Sequence, residues 1–538
     1  MQTYSKNFNL SLCFLLAGCA SIINIENNLS REYQNSLYGK YLSASYSVRN
    51  GDTNYASKIL NNKADFLDDK KLIELAFYTK IINGEFFKAE NLKNNYNKTL
   101  DKNSFSNISK IAINIKNNNF EEALKNIAFS DDLPGFKILA KKIGHINFLK
   151  TVANKEKVLI PKIEDIYDLI IFEDFIKMNS LNYKILKKKH SNINKFLIFG
   201  YLKRNNLLEK EFGFFEKSLP FDYSKKFLLK SFHEENNLFS NNPSNKLIIS
   251  SFLVNLANIL SYEQNIPKSY IKMLLEIANF ISPNQHFANY YLSKIYADEK
   301  NYITSLKKLE KVYKKSFAYI PSLIHKFYVS KLNKNPKSKI YFQEMENNYF
   351  SHLSVKLELA NDYRKNNNCE KAIKIYDIIL HETNHNSSLF YKASCLEKIG
   401  KWKDAKNLFL KIINLNKKDA YSLNYLSYSM AIRNEDLARA NLLIKTALKL
   451  HPNNGYFLDT LGWVQYKMKN YDMAINNLQR AVSIKPNSSE IMDHLADCYI
   501  KKGRIQEAIF EWRRALKFDA SKKLKKNIKL KLDKYDIK

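Results

Sequence analysis

Two consecutive stretches decide the fold: GYFLDTLGWVQYKMKNYDMAINNLQRAVSIKPNS (455–488) and SEIMDHLADCYIKKGRIQEAIFEWRRALKFDASK (489–522). A shift of 34 residues lays Ala474 on Ala508 and brings Leu461-Gly462 onto Leu495-Ala496. The first stretch also carries Leu478, Ala481 and Pro486, the second Tyr499, Trp512 and Ala515. Two antiparallel helices pack closely only where small residues sit at their crossing, and larger apolar residues at helical spacing fill the space between neighbouring hairpins. Between units come Pro452-Asn453-Asn454 and Pro486-Asn487-Ser488-Ser489. Proline ends one helix, and Asn or Ser is suited to cap the next.

Working outward, the same alanine recurs at Ala440, Ala405 and Ala372, at steps of 34, 35 and 33, with Ser305 in that role two units earlier. A second block lies near the start, where Ala56, Ala89 and Ala123 are 33 and 34 apart, with turns expected at Gly51-Asp52, Asn83-Gly84 and Asn117-Asn118-Asn119. Between Asp131 and Pro283 the register is lost, although Phe252, Leu256 and Leu260 keep helical spacing. The stretch from Glu234 to Asn245, with four Asn and Pro243 between its ends, is expected to be a long exposed loop or a joint between two arms. Leu524, Ile528 and Leu532 form a stripe amid lysines, as a solvated capping helix requires.

The composition agrees with an all-α solenoid. The 538 residues exceed what one compact core organises, and 12 Gly and 10 Pro are few for a chain of β-hairpins. The formal charge of +33 raises nucleic acid as a partner. However, the lysines are scattered along the chain among asparagines and isoleucines, so nucleic-acid binding is not expected.

The N-terminus has one positive charge, Lys6, before an apolar run from Leu10 to Leu16 that ends in Leu16-Ala17-Gly18-Cys19. That run is too short to span a bilayer and has the form of a signal segment. The last four residues resemble a bacterial lipobox, which implies that Cys19 is acylated and becomes the new N-terminus. Two or more acyl chains anchor stably where one would be marginal. By the same resemblance, Ala20 lacks the aspartate that holds lipoproteins in the inner membrane, so an outer-membrane anchor facing the periplasm is expected. The expected organisation is signal 1–18, linker 19–34, N-terminal repeats 35–130, degenerate hairpins 131–284, C-terminal array 285–520 and capping helix 521–538.

Beyond Cys13 and Cys19 only Cys369, Cys395 and Cys498 remain, with no CxxC spacing. They are expected to be buried or semi-buried free thiols that do not face one another, with neither a disulfide framework nor a zinc site. His381-Glu382-Thr383-Asn384-His385 matches HExxH. Zincin chemistry needs both histidines one turn apart on a continuous helix, plus a third ligand. In the repeat register these residues end one helix and enter the next turn, so no metalloprotease is expected. No phosphate-binding glycine loop or nucleophile elbow is present, and neither a cofactor nor a small-molecule substrate is implied.

The runs YSLNYLSY (421–428), FLDTLGW (457–463), IMDHLAD (491–497) and FEWRRA (510–515) resemble the C-terminal part of a family of proteobacterial tetratricopeptide (TPR) repeat lipoproteins. One type in a related branch is an outer-membrane adaptor that binds and activates a periplasmic carboxyl-terminal processing protease. The resemblance implies a non-enzymatic scaffold that binds other envelope proteins, with the first helix of each hairpin lining a concave groove. In this register that face carries Asn424, Tyr428, Asp459, Trp463, Tyr466, Asp493 and Asp497. Aromatic anchors flanked by hydrogen-bonding groups suit a peptide groove. The alternative is a basic cytoplasmic TPR protein associated with RNA or another protein complex.

Overall fold

In a computed structural model of the chain, the described residues are 37–171, 201 and 244–535, apart from short stretches at 50–51, 61–69, 97–99, 101–103, 153–164, 284, 384 and 519–520. The signal segment, Cys19, the linker and most of the expected loop at 234–245 lie outside them. Every regular element among the described residues is a helix. Two compact units divide at Val355/Lys356. No described helix is long and apolar enough to cross a membrane.

The first unit contains α1 (Leu37–Arg49), α2 (Thr53–Ile59), α3 (Lys70–Ile82), α4 (Phe86–Asn95), α5 (Ile108–Lys116), α6 (Phe120–Ile127), α7 (Phe136–Val152) and α8 (Ile166–Ile171). After the undescribed middle come α9 (Asn245–Leu260), α10 (Lys268–Ile281), α11 (His286–Asp298), α12 (Tyr302–Glu310), α13 (Tyr319–Leu332) and α14 (Lys337–Asn348). The periodic small residues Ala56, Ala89, Ala123 and Ser305 are all fully buried, each on the second helix of its hairpin. Ser305 Oγ donates to the Ser293 carbonyl at 2.7 Å, which shows how closely α11 and α12 cross there. Gly84 and Asn118 make the turns in the left-handed conformation, with φ of 75° and 60°.

Beyond Asp131 the reason for the lost register is visible. Helix α9 is buried on every side from Leu247 to Ala257, and α10 packs against α3 and α5 of the N-terminal block as well as against its sequence neighbours. Tyr270 OH donates to the Pro134 carbonyl at 2.8 Å, Tyr78 and Ser269 hydroxyls meet at 3.0 Å, and the Phe86 and Phe280 rings lie 4.8 Å apart. Lys272, 1% exposed, reaches Thr53 Oγ1 at 2.9 Å and Glu299 at 3.2 Å. These sequence-distant contacts replace part of the nearest-neighbour stacking that imposes a repeat period on a solenoid.

The second unit begins within α15 (Leu353–Lys365) and continues with α16 (Cys369–Glu382), α17 (Asn386–Lys398), α18 (Trp402–Leu415), α19 (Ala420–Ile432), α20 (Leu437–Leu450), α21 (Gly455–Lys467), α22 (Tyr471–Ile484), α23 (Ser489–Lys501), α24 (Ile505–Ala515) and α25 (Lys522–Tyr535). Ala372, Ala405, Ala440, Ala474 and Ala508 are fully buried, each on the second helix of a hairpin. Left-handed residues Asn367, Gly400, Asn434, Lys469 and Gly503 stand in the five hairpin turns. The residue after each donates to the carbonyl five back, as Asn368 does to Tyr363 at 2.8 Å and Asn470 to Gln465 at 2.9 Å. This is the hydrogen-bond pattern that terminates a helix on a left-handed residue.

Between hairpins, Asn454 caps α21, its Oδ1 accepting from Tyr456 N at 3.0 Å. Ser488 makes no such cap on α23; instead Ser489 Oγ donates to the Ala515 carbonyl at 2.8 Å and ties the hairpin across its open end. Among the first helices, α21 touches both α19 and α23 directly. Tyr428 on α19 comes within 6.2 Å of His494 on α23, past the intervening helix, so the first helices line the inside of a curve. Ile528 and Leu532 of α25 are buried against the end of the array, leaving most of its lysines in solvent.

Candidate protein-binding face

The residues expected on the first helices fall into two rows. Asn424, Asp459 and Asp493 stand three positions before the small residues Ser427, Gly462 and Ala496; Tyr428, Trp463 and Asp497 stand one position after them. Those small residues are where the hairpins cross: Ser427 Oγ donates to the Ala440 carbonyl at 2.7 Å, and a Cβ on Gly462 would lie 3.2 Å from the Ala474 carbonyl. The repeat lattice therefore aims both rows to the same side.

Around Trp463 the rows form one aromatic ladder. The Trp463 ring stacks on Tyr466 at 4.8 Å and 9°, and on His494 at 4.2 Å and 22°. Tyr471 extends it beyond Tyr466 at 5.7 Å, and Lys467 Nζ lies 5.2 Å from the Trp463 ring. Burial, followed by the nearby carboxylates, pushes the Tyr428 and Tyr466 hydroxyls up to about 12. Both remain neutral donors at physiological pH.

The three aspartates are committed within the chain. Asp459 accepts from His494 Nδ1 at 2.8 Å. Asp493 accepts from Trp512 Nε1 at 2.8 Å and from Lys531 at 2.8 Å, and Lys531 also reaches Asp497 at 2.7 Å. The capping helix thus places a lysine between two carboxylates at the end of the face. Sequence spacing alone gives no sign of Lys531, and His494 falls singly in the sequence. The signal for His494 was its place beside Asp493, one repeat beyond Asp459.

Two polar atoms on this face have no partner among the described residues: Asn424 Oδ1 and Trp463 Nε1, both buried. Each buried polar atom left unpaired costs about 1–3 kcal/mol.

His494 makes the ladder sensitive to pH. Burial alone would lower its pKa, but Asp459, with Asp493 and Asp497 behind it, outweighs burial and holds the imidazole above its usual 6.5. Folding therefore favours the protonated ring. Its contribution to stability is complete below the unfolded value near 6.5 and is lost as pH rises through the folded value, each pKa unit being worth about 1.4 kcal/mol. Urea unfolding of the chain and of a His494→Gln variant across pH 6–9 should give curves that converge as pH rises; a difference that stays constant would remove the ion pair from the account.

The HExxH residues do not assemble. Helix α16 ends at Glu382, which pairs with Lys356, and His385 caps α17, its Nδ1 accepting from Ser388 N at 3.2 Å. No group of three or more His, Cys, Asp or Glu among the described residues could hold a metal ion. All three described cysteines are buried free thiols, but Cys369 and Cys395 neighbour each other, because α16 of one hairpin packs directly on α17 of the next and the Cys369 thiol helps raise the Cys395 pKa.

Comparison with known proteins finds likenesses to one kind of repeat. Residues 387–418 and 465–523 match two models described as tetratricopeptide repeat. Both stretches lie in the second unit and are similar to TPR repeats there. A TPR repeat-containing protein of Methanocaldococcus jannaschii is 32% identical over 111 residues, which are 21% of this chain and 19% of that protein's length. Among solved structures, a tetratricopeptide repeat protein from Parabacteroides merdae is 13% identical, with a TM-score of 0.41, covering 46% of this chain and 98% of the other. A thermophilic TPR protein of Thermus thermophilus is 20% identical, with a TM-score of 0.31, covering 33% and 98%. The 465–523 stretch takes in the end of α21 and all of α22 to α24, with Tyr466, Tyr471, His494, Asp493 and Asp497; Asp459 and Trp463 lie just before it.

Proposed function

We propose that the chain is a non-enzymatic scaffold whose C-terminal TPR repeats hold an extended segment of another protein against the face formed by Asn424, Tyr428, Trp463 and Tyr466. One observation carries this: a buried acceptor, Asn424 Oδ1, and a buried donor, Trp463 Nε1, stand unpaired on neighbouring first helices. A peptide backbone offers one N–H and one C=O per residue, the complement of that pair. The Tyr466–Trp463–His494 stack supplies a rigid apolar plate beside them, of the kind that anchors interface hot spots. Small-molecule chemistry has no comparable support, since the aspartates are already engaged by Lys531, Trp512 and His494.

Trp463→Phe tests this reading, because an aromatic ring is kept while the N–H is removed together with part of the stacking area. Losing an unpaired buried donor gains about 1 kcal/mol, which works against the packing lost with the smaller ring, so the stability of the free protein should change little while affinity for its protein partner falls about fivefold. Calorimetric titration and thermal unfolding of the two chains measure both. A variant that loses stability without losing affinity would contradict the proposal.

Lipobox resemblance at Leu16-Ala17-Gly18-Cys19 supports placing this scaffold on the outer membrane, facing the periplasm, through an acylated Cys19. The partner would then be an envelope protein, and the lipoprotein resemblance favours a processing protease or cell-wall machinery. The test is the mass of the N-terminal peptide and the membrane fraction in native cells, for the chain and for Cys19→Ala. An acylated Cys19 lost in the variant supports the envelope reading. An unprocessed Met1 in the soluble fraction would replace it with a cytoplasmic basic scaffold, for which the charge of +33 is the motivation.

A further inference from the structure

We propose that Cys369 and Cys395 form an intramolecular disulfide that ties α16 to α17, and so one repeat to the next, when the chain folds in an oxidising compartment. The proposal rests on the envelope placement above, since a glutathione-reduced compartment would keep both thiols free.

Its basis is position. Cys369 is the first residue of α16 and is 2% exposed; Cys395 lies in the third turn of α17 and is fully buried. The Cys369 thiol is near enough to help raise the Cys395 pKa. Helices α16 and α17 run antiparallel at this crossing, with Tyr376 and Tyr391 rings 6.1 Å apart and Asp377 paired with Lys392. One to two turns further from the connecting turn, Cys369 and Cys395 are both buried on the same two packed helices. Cys498 sits elsewhere, beside Asp459 and Asp497, and serves as an internal control.

Burial, with the neighbouring Cys369 thiol, pushes the Cys395 thiol up to about 12. Thiolate is then scarce in the finished fold, so the bond forms while the hairpins are still open. The oxidant is the disulfide of a thiol–disulfide oxidoreductase. The Cys369 thiolate attacks one sulfur of that disulfide, giving a mixed disulfide and releasing the oxidant's first thiolate. Deprotonated Cys395 then attacks Cys369 Sγ and expels the second. Two thiols have lost two protons and two electrons, and the oxidant has become a dithiol. Closing the fold around the bond buries it from reductants.

Two experiments test this. The full chain, unfolded with reductant and refolded in a glutathione redox buffer, is alkylated, digested and analysed by mass spectrometry. A Cys369–Cys395 linked peptide, alkylated Cys498, and a urea midpoint that drops on reduction are expected; the midpoint of a Cys369→Ala/Cys395→Ala chain should not respond to reductant. Full alkylation of both thiols, or linkage of either to Cys498, overturns the proposal.

The second experiment traps thiols with acid in native cells before alkylation. Linked thiols on a chain with acylated Cys19 support the disulfide. Reduced thiols on an acylated chain overturn it and leave the envelope placement standing. Reduced thiols on a chain with an unprocessed Met1 overturn both.

Discussion

Replacing Lys272 by alanine should lower the unfolding free energy of the first unit by about 3–5 kcal/mol, the range for removing one partner of a buried ion pair. The ammonium is buried between Thr53 Oγ1 at 2.9 Å and Glu299 at 3.2 Å, with the Tyr296 ring 4.1 Å away. It therefore joins α10 at once to α2 and α11. Burial draws the Lys272 pKa down and pushes that of Glu299 up, and the lysine is what offsets the rise at Glu299. Without it Glu299 rises further. A carboxyl with a raised folded pKa gains stability as pH falls through that value, so the defect of the variant should shrink in acid. Adding Glu299→Gln should recover much of it at neutral pH. Hydrogen exchange reads the effect locally: amides of Thr53–Ile59 and Lys268–Ile281 should lose protection together. A loss confined to α10 would mean that Lys272 does not bridge the two blocks.

The second large effect is expected at Gly462. A Cβ there would lie 2.5 Å from Leu478 Cγ, 3.0 Å from Leu478 Cδ2 and 3.2 Å from the Ala474 carbonyl. Leu478 is fully buried, so moving it aside displaces the side chains packed around it. Gly462→Val should cost about 3 kcal/mol, near the top of the overpacking range. In Gly462→Ala, about 1 kcal/mol gained from helix propensity works against the clash, so a small loss is expected. Urea denaturation followed by Trp463 and Trp512 fluorescence would measure both. A Val variant as stable as the parent would show that α21 and α22 do not cross at this point.

These two sites mark how much of the molecule is legible in its sequence. The Gly462–Ala474 crossing was readable because a solenoid repeats one contact every 34 residues, and a position that admits only a small side chain recurs with it. The turns were less readable. Left-handed residues occupy all five turns of the second unit, yet only Gly400 and Gly503 are glycines; Asn367, Asn434 and Lys469 adopt the same conformation. The Lys272 site was not readable at all. Its partners, Thr53 and Glu299, lie 219 and 27 residues away, and nothing periodic links them. Where a helix packs against distant chain as well as its neighbours, as α9 and α10 do, the local period has no reason to persist.

The candidate face divides in the same way. The spacing gave the rows Asn424–Asp459–Asp493 and Tyr428–Trp463–Asp497, which follow from helix geometry and the repeat offset. What each side chain does there depends on partners from other elements. Asp493 and Asp497 are held by Lys531 of the capping helix, and Asp459 by His494, so the aspartates hold the end of the array together. The unpaired groups are Asn424 Oδ1 and Trp463 Nε1. No pattern of residue types distinguishes a paired from an unpaired polar atom; only the packed neighbours do.

The most direct test of the scaffold is site-specific photo-crosslinking in native cells. A photoreactive residue is placed in the full-length chain at Asn424, at Tyr466, or at Met473, which is exposed on the second helix α22. The account predicts one protein partner crosslinked from positions 424 and 466, absent from position 473, and reduced in a Trp463→Phe background. Crosslinks from position 473 alone, or none from 424 and 466 in a folded chain, would contradict it.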